Sequence, residues 1–175
     1  MNPKCEVTTP IKKQFRISTL VFLKDAHERL LLIRRCKSPN QGKWSPIGGK
    51  LDQASGESPF ECAIRETREE TGFSVKESDL HLFAYVAEKN YENAGHWLMF
   101  LFACNKVLPF LPSNGQEGVF AVFERSQIKK LNIPESDHDL IWPLYDKYGQ
   151  GGFAAVRSDF TIPDMTEIRV EERCD

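Results

Sequence analysis

The sequence predicts one α+β domain in which short strands alternate with two main helices. Three observations support this fold class: apolar runs of strand length recur along the chain, one segment has complete helix start and stop signals, and neither a repeat nor a linker divides the sequence. A chain of 175 residues with 41% hydrophobic side chains is long enough to bury one core. We therefore treat residues 1–175 as a single domain and expect its ends, residues 1–12 and 168–175, to fray.

Charge and cysteine usage argue against several classes of protein. The formal net charge is -2 and no long basic run occurs, so a stable nucleic-acid partner is not expected. The chain has neither the apolar core of a signal peptide nor 18 consecutive apolar residues, which argues against a membrane span. Its five cysteines form no C-x-x-C pair and are expected to be reduced thiols. These features predict a soluble, cytoplasmic protein whose partner is a small molecule.

The first elements are two apolar runs, residues 16–24 and 29–35, on either side of the polar turn DAHE. This pattern predicts a β-hairpin. The next stretch, CKSPNQGKWSPIGGK, contains two prolines and three glycines, and it predicts a loop whose backbone can approach a ligand. Trp44 in this loop either stacks on a base or anchors the loop to the domain.

A helix from Pro59 to Thr71 is the best-defined element. Ser58 is a suitable N-cap, Pro59 suits the first helical position and Glu61 completes a capping box. Gly72 follows as a C-terminal cap. On a helical wheel one face of this segment is suited to packing, and an adjacent arc carries glutamates.

Strands are predicted at residues 82–89, 96–105 and 119–124. The second of these is apolar on both faces, which indicates a central strand. The segment ESDHDLIWPLYDKYG has helical spacing, and Pro143 within it predicts a kink or a late start. The stretch FAAVRSDFTIP that follows predicts one edge strand.

The acidic arc of the helix consists of Glu66, Glu69 and Glu70. Close like charges on a helix cost a few tenths of a kcal/mol per pair. In one interpretation this arc is a solvated surface with Arg65 and Arg68 nearby. In the other, a divalent cation compensates the charge, because carboxylates from consecutive turns suit Mg²⁺.

The loop before the helix favours the second interpretation. Gly48, Gly49 and Lys50 supply backbone groups and an ammonium that can lie beside a cation and a phosphate. A loop suited to phosphate followed by an acidic helix predicts a metal-dependent site in residues 48–73.

The stretch GGKLDQASGESPFECAIRETREETGF resembles the signature box of the Nudix hydrolase family, G-x5-E-x7-R-E-U-x-E-E-x-G-U, where U is a bulky apolar residue. The matching positions after the loop are Glu57, Arg65, Glu66, Glu69, Glu70, Gly72 and Phe73. Seven residues separate Gly49 from Glu57 where the pattern has five, an insertion that a loop tolerates. Thr67 occupies an apolar position, where its methyl group can pack and its hydroxyl can bond back along the helix.

The resemblance implies an α/β/α sandwich around a mixed β-sheet, and hydrolysis of nucleoside diphosphate-X compounds with Mg²⁺, for which Mn²⁺ can substitute. It further implies residue roles. The implied metal ligands and catalytic residues are Gly49, Glu66, Glu69 and Glu70, with Gly48, Gly49 and Lys50 at the substrate. Glu57 and Arg65 are implied as a structural ion pair. Glu117 resembles the later carboxylate that many relatives use as a ligand or base, while Glu88, Glu92 and Glu124 are weaker candidates.

The region IPESDHDLIWPLYDKYGQGGFAAVR loosely resembles Nudix enzymes that hydrolyse oxidised purine nucleoside triphosphates. That resemblance implies Glu135, Asp137 and Asp139 as candidate base readers, although they also suit helix capping. It favours a (d)NTP, canonical or oxidised, as the substrate of a monomer or homodimer. ADP-ribose, nucleotide sugars, dinucleoside polyphosphates and capped RNA remain alternatives, as does a Nudix-fold binding module without catalysis.

Overall fold

The computed structural model of the chain describes residues 14–38, 40–91, 95–162 and 165–175. The strands are β1 (Phe15–Phe22), β2 (Leu30–Arg35), β3 (Trp44–Ser45), β4 (Leu80–Lys89), β5 (His96–Cys104), β6 (Gly118–Phe123), β7 (Phe153–Ile162) and β8 (Met165–Cys174). The helices are α1 (Pro59–Thr71), α2 (Arg125–Ile128), α3 (Glu135–Asp139) and α4 (Ile141–Tyr148). In the described ranges no helix is long and apolar enough to cross a membrane.

The strands form two sheets. The larger is mixed, in the order β1-β5-β4-β7-β8, with β1 parallel to β5, β4 parallel to β7 and the other pairs antiparallel. The smaller sheet is antiparallel, in the order β3-β2-β6. The prediction of a central strand at residues 96–105 is confirmed, because β5 lies between β1 and β4.

Helices α1 and α4 pack on two separate hydrophobic clusters. Successive strand residues point to opposite faces of a sheet. In β5, Leu101 accordingly belongs to the cluster that contains α4, and Phe102 belongs to the cluster that contains Ala63 of α1. A mixed sheet with helices on both sides is the α/β/α sandwich that the sequence led us to expect.

The predicted hairpin of residues 16–24 and 29–35 is wrong for most of its length, because β1 and β2 lie in different sheets. They meet only where the chain turns, through the Lys24↔Leu30 bridge and a 2.9 Å hydrogen bond from Leu31 N–H to Leu23 O. The loop that follows β3 bridges to β1 instead, pairing Ile47 with Val21. Competition from this loop leaves β2 to pair with β3 and β6.

The C-terminal region also differs from the prediction. One edge strand was expected after residue 152, but β7 is interior and β8 forms the edge. Residues 168–175 were expected to fray, whereas Ile168 and Val170 lie in β8 and pair with Ser158 and Val156. The alternating β-branched side chains explain this strand. The other end, residues 1–12, lies outside the described residues.

Candidate active site

Helix α1 begins and ends at the residues that the sequence predicts. Ser58 N–H donates to Glu61 Oε2 at 2.8 Å, and Glu61 N–H donates to Ser58 Oγ at 3.2 Å, which completes the capping box. Gly72 closes the helix with φ of 72°. Thr67 is fully buried, and its hydroxyl donates to Ala63 O at 2.7 Å. These contacts fix the rotation of the helix and turn its glutamates towards the preceding loop.

The loop before α1 is held along β1 by backbone hydrogen bonds. Val21 N–H donates to Ile47 O at 2.8 Å, and Thr19 N–H donates to Gly49 O at 2.9 Å. Gly48 has φ of 143°, and a Cβ there would lie 2.1 Å from Thr19 O. At Gly49, a Cβ would lie 2.1 Å from Glu66 Oε1. Glycine at both positions therefore allows the loop to lie between β1 and the acidic helix.

Arg65 joins the loop to the helix. Its Nε lies 2.7 Å from Glu57 Oε1, and its Nη2 donates to Lys50 O at 3.1 Å. The hydrogen bonds from Arg65 lower the pKa of Glu57 to about 2, and those to Glu57 hold the pKa of Arg65 above its ordinary value. Arg65 Nη1 also donates to Glu66 at 2.7 Å and Glu69 at 3.0 Å. One guanidinium thus contacts three of the carboxylates in the signature box.

Glu66 and Glu70 are the partly buried carboxylates of the acidic arc. Burial raises the pKa of Glu66, partly opposed by its hydrogen bond with Arg65. Burial raises the pKa of Glu70 to about 7, and the nearby charges of Glu66 and Glu117 act in the same direction. Gly48 N–H donates to Glu70 Oε2 at 3.2 Å. Burial beside the loop therefore disfavours the charged forms of both carboxyls.

Glu69 is more open, with 59% of its side chain exposed. Within the described ranges no three acidic, histidine or cysteine side chains converge on one point, because Glu66 and Glu69 turn to Arg65 while Glu70 accepts from Gly48. The donor chemistry nevertheless fits a hard cation, since Glu66, Glu69 and Glu70 come from consecutive turns of one helix and Glu66 lies against Gly49.

Glu117 lies in the loop before β6. Its carboxylate pairs with Lys37 at 2.9 Å, and its backbone carbonyl accepts from Cys36 N–H at 3.0 Å. The side chain is 54% exposed, but it is near enough to Glu70 to raise that group's pKa. Glu88 lies in β4, Glu124 caps α2, and Glu92 lies outside the described residues.

A cavity adjoins the acidic site through the glycine loop. Gly48, Gly49 and Lys50 form part of its wall, and the ring of Trp97 lies about 6.0 Å from Lys50 Nζ. The other walls come from strands β1 to β5, the loop after β2, the segment that follows β4, and the start of α3. Their lining residues are Ser18, Thr19, Leu20, Arg35, Ser38, Asn40, Ser45, Glu88, Tyr91, Met99, Pro134, Ser136 and Asp137.

Of the three candidate base readers, only Asp137 lines this cavity. It is buried, and burial raises its pKa to about 7. Glu135 and Asp139 are exposed and lie outside the cavity lining. Trp44 does not line it either, and its ring packs edge-on against Phe123 with centroids 4.9 Å apart.

Sequence reasoning gave no cavity role to Arg35, Glu88 or Met99. Arg35 is close enough to Glu70 to lower the pKa of that carboxyl. For Arg35 and Glu88 the sequence offered one signal, a charged side chain in an otherwise buried strand. Placing such a side chain in the cavity requires the sheet register.

An α/β/α sandwich with a glycine loop before an acidic helix defines a hydrolase of the Nudix class. The model of the NUDIX domain family matches residues 14–141, which is well over half of the chain. The chain therefore belongs to the NUDIX domain family.

Known relatives agree with this assignment. The uncharacterized Nudix hydrolase YvcI of Bacillus subtilis (strain 168) is 28% identical over 127 residues, covering 72% of this chain and 76% of YvcI. The MutT protein from Bacillus halodurans has a similar fold, with a TM-score of 0.68, 22% identity and coverage of 90% of this chain and 98% of that chain.

A bifunctional NMN adenylyltransferase/ADP ribose pyrophosphatase from Francisella tularensis, solved with AMP and a Mn ion, also has a similar fold. Its TM-score is 0.60 at 18% identity, covering 79% of this chain and 43% of that chain. At these identities the two solved structures show the fold alone.

Proposed function

We propose that this protein is a Mg²⁺-dependent pyrophosphohydrolase that converts a canonical or oxidised (d)NTP to the monophosphate and pyrophosphate. The main observation is that Gly48, Gly49 and Lys50 belong both to the wall of the cavity and to the loop beside the acidic helix. A nucleoside in the cavity would place its phosphates next to the carboxylates. The site then has separate places for the base and for the reacting anhydride.

Glu66, Glu69, Glu70 and the carbonyl of Gly49 are the groups that would hold Mg²⁺, with Mn²⁺ as a substitute. The divalent ion, when bound, neutralises charge on the anhydride and lowers the pKa of water. Arg65 keeps Glu66 and Glu69 close to the loop through contacts of 2.7 and 3.0 Å. Because the carboxylates repel an anionic substrate, removing the cation should weaken substrate binding.

Two carboxylates are candidates for orienting the water that attacks phosphorus. Glu70 accepts a hydrogen bond from Gly48 N–H at 3.2 Å, which holds its carboxylate beside the glycine loop. Glu117 is more exposed and pairs with Lys37, and it lies close enough to Glu70 to raise the pKa of that carboxyl. The cationic groups on the cavity wall, Lys50 and Arg35, suit the phosphates of the substrate.

The cavity itself suits a nucleoside. The ring of Trp97 and the side chains of Met99 and Leu20 give it an apolar surface, and Asp137 supplies a buried polar group. Asp137 with a pKa near 7 can donate as well as accept a hydrogen bond to a base.

ADP-ribose is the second candidate substrate. The Francisella tularensis structure belongs to an ADP ribose pyrophosphatase and contains AMP and a Mn ion. A binding module without catalysis is the third candidate, and the intact set of Glu66, Glu69 and Glu70 argues against it.

A substrate panel tests the proposal. Canonical and oxidised (d)NTPs, ADP-ribose, UDP-glucose and diadenosine polyphosphates are incubated with the protein in Mg²⁺, in Mn²⁺ and in EDTA, and the products are separated by chromatography. We expect triphosphates to give monophosphate and pyrophosphate in either metal, with no turnover in EDTA. Preferential cleavage of ADP-ribose would replace the triphosphate by the second candidate. Binding without turnover in both metals would favour the non-catalytic module.

A further inference from the structure

Glu88 interrupts an apolar row on the inward face of β4. Ala84 and Val86 precede it on the same face, and both are fully buried in the cluster that contains α4. Glu88 follows at the next inward position and is 3% exposed. A charged residue at a position where the strand pattern calls for an apolar one points to a functional requirement.

The neighbours of Glu88 place it where the sheet meets the cavity. It pairs with Trp97 of β5 on one side and with Ser158 of β7 on the other. Glu88 and Trp97 both line the cavity. The Oγ atom of Ser158 is buried and has no hydrogen-bond partner among the residues that the structure describes. Within this row, a carboxyl group therefore lies beside the aromatic ring that borders the nucleoside cavity.

An ionised carboxylate is costly to bury unless donors surround it. A carboxylate accepts about four hydrogen bonds, so donors from a ligand can add to donors from the protein. From a nucleobase in the cavity, the donors that can reach a carboxylate beside Trp97 are the N–H groups on the edge of the base. Guanine-type bases present a ring N–H next to an amino group, whereas uracil and thymine flank their only N–H with two carbonyl acceptors.

On the basis of the proposed function, we propose that Glu88 is a specificity-determining residue that accepts N–H donors from the nucleobase and selects guanine-type bases over uracil and thymine. Asp137 enters the cavity from α3. A base in the cavity can therefore meet acidic groups from two separate elements. The carbonyl oxygens of a uracil edge would be repelled by the carboxylate of Glu88.

Direct binding tests this role without catalysis. GMP and UMP are titrated by calorimetry, without metal, into the wild-type protein, Glu88→Gln and Glu172→Gln. Glu172 lies in the exposed strand β8 and provides the same chemical change outside the cavity. We expect wild type and Glu172→Gln to bind GMP more tightly than UMP. In Glu88→Gln, GMP binding should weaken about 10- to 100-fold, the range for a hydrogen bond to a charged group, while UMP binding changes less than about threefold.

Two outcomes would overturn the assignment: equal binding of GMP and UMP by the wild type, or equal loss of both ligands in Glu88→Gln. The wild-type comparison decides the matter even if Glu88→Gln fails to fold. Thermal melting of the variant checks its folding. The proposed function is tested separately, since a protein without turnover can still show Glu88-dependent binding of GMP.

Discussion

The loop and helix of residues 48–73 and the cavity beside them are built in opposite ways. The first takes all its acidic groups from one continuous segment, with Glu57, Arg65 and Glu66 joined by contacts of 2.7 Å. The second collects side chains from β1, β4, β5, α3 and two loops. Chemistry encoded in one segment can be identified from spacing, whereas selectivity that depends on long-range packing cannot.

The largest effect should follow from Glu70→Gln, which tests whether the local segment carries the chemistry. The change keeps the size of the side chain but removes a carboxylate that lies against Gly48. We expect kcat/KM to fall at least about 100-fold, equivalent to about 2.7 kcal/mol of barrier. Initial rates with Mg²⁺ on the best substrate of the panel measure it.

Glu77→Gln is the matched control, because Glu77 is an exposed residue in the short turn after α1. It should retain wild-type rates. If Glu70→Gln and Glu69→Gln both keep wild-type activity, the carboxylates of helix α1 do not carry the reaction.

Alanine at the two loop glycines separates folding from activity within the same segment. Gly48→Ala places a Cβ 2.1 Å from a backbone oxygen at φ of 143°, so we expect a loss of about 2 to 4 kcal/mol in unfolding free energy. Gly49→Ala instead meets the end of the Glu66 side chain, which can move. Gly49→Ala should lose activity, but its melting temperature should fall less than that of Gly48→Ala.

Gly151→Ala controls for the substitution, because a Cβ there has open space and the backbone is ordinary. Denaturant unfolding and initial rates are measured on all three variants. If Gly49→Ala is as active as Gly151→Ala, the close approach of the loop to Glu66 has no role in turnover.

Much of α1 was predictable because its signals are local. Ser58 and Gly72 define its ends, and Thr67 makes the backbone contact that its position on the wheel suggests. The separation of β1 and β2 into two sheets was not predictable, because it depends on competition from the loop around Ile47. The cavity position of Glu88 was equally hidden, since it follows from the register of β4 with β5.

A smaller effect, on stability, should appear at the cavity through Asp137. Burial raises its folded pKa to about 7 from 3.8, so the folded state binds more protons than the unfolded state between those values. The unfolding free energy that this group contributes is therefore present at low pH and is lost as pH rises towards 7. Asp137→Asn removes this dependence.

As pH rises from 4 to 8, the unfolding free energy of Asp137→Asn should increase by at least about 1 kcal/mol relative to that of wild type. Urea unfolding of wild type and Asp137→Asn at several pH values gives the difference between their unfolding free energies. The titration of Glu66 and Glu70 is common to both proteins and cancels in that difference. Asp139→Asn, at an exposed position on the same helix, should show no such trend. A difference that stays constant or falls with pH would mean that Asp137 is charged throughout.

The smallest effect is expected at Trp44, which compares the two tryptophans near the site. Trp44 packs edge-on against Phe123, a contact that phenylalanine can preserve, and it does not line the cavity. We expect Trp44→Phe to change KM no more than about twofold, whereas Trp97→Phe, at the cavity wall, should raise KM about 2- to 10-fold. Steady-state kinetics on one nucleotide distinguishes them. A larger effect at Trp44 would show that its side chain reaches the base when substrate binds and joins the residues of the same loop that already line the cavity.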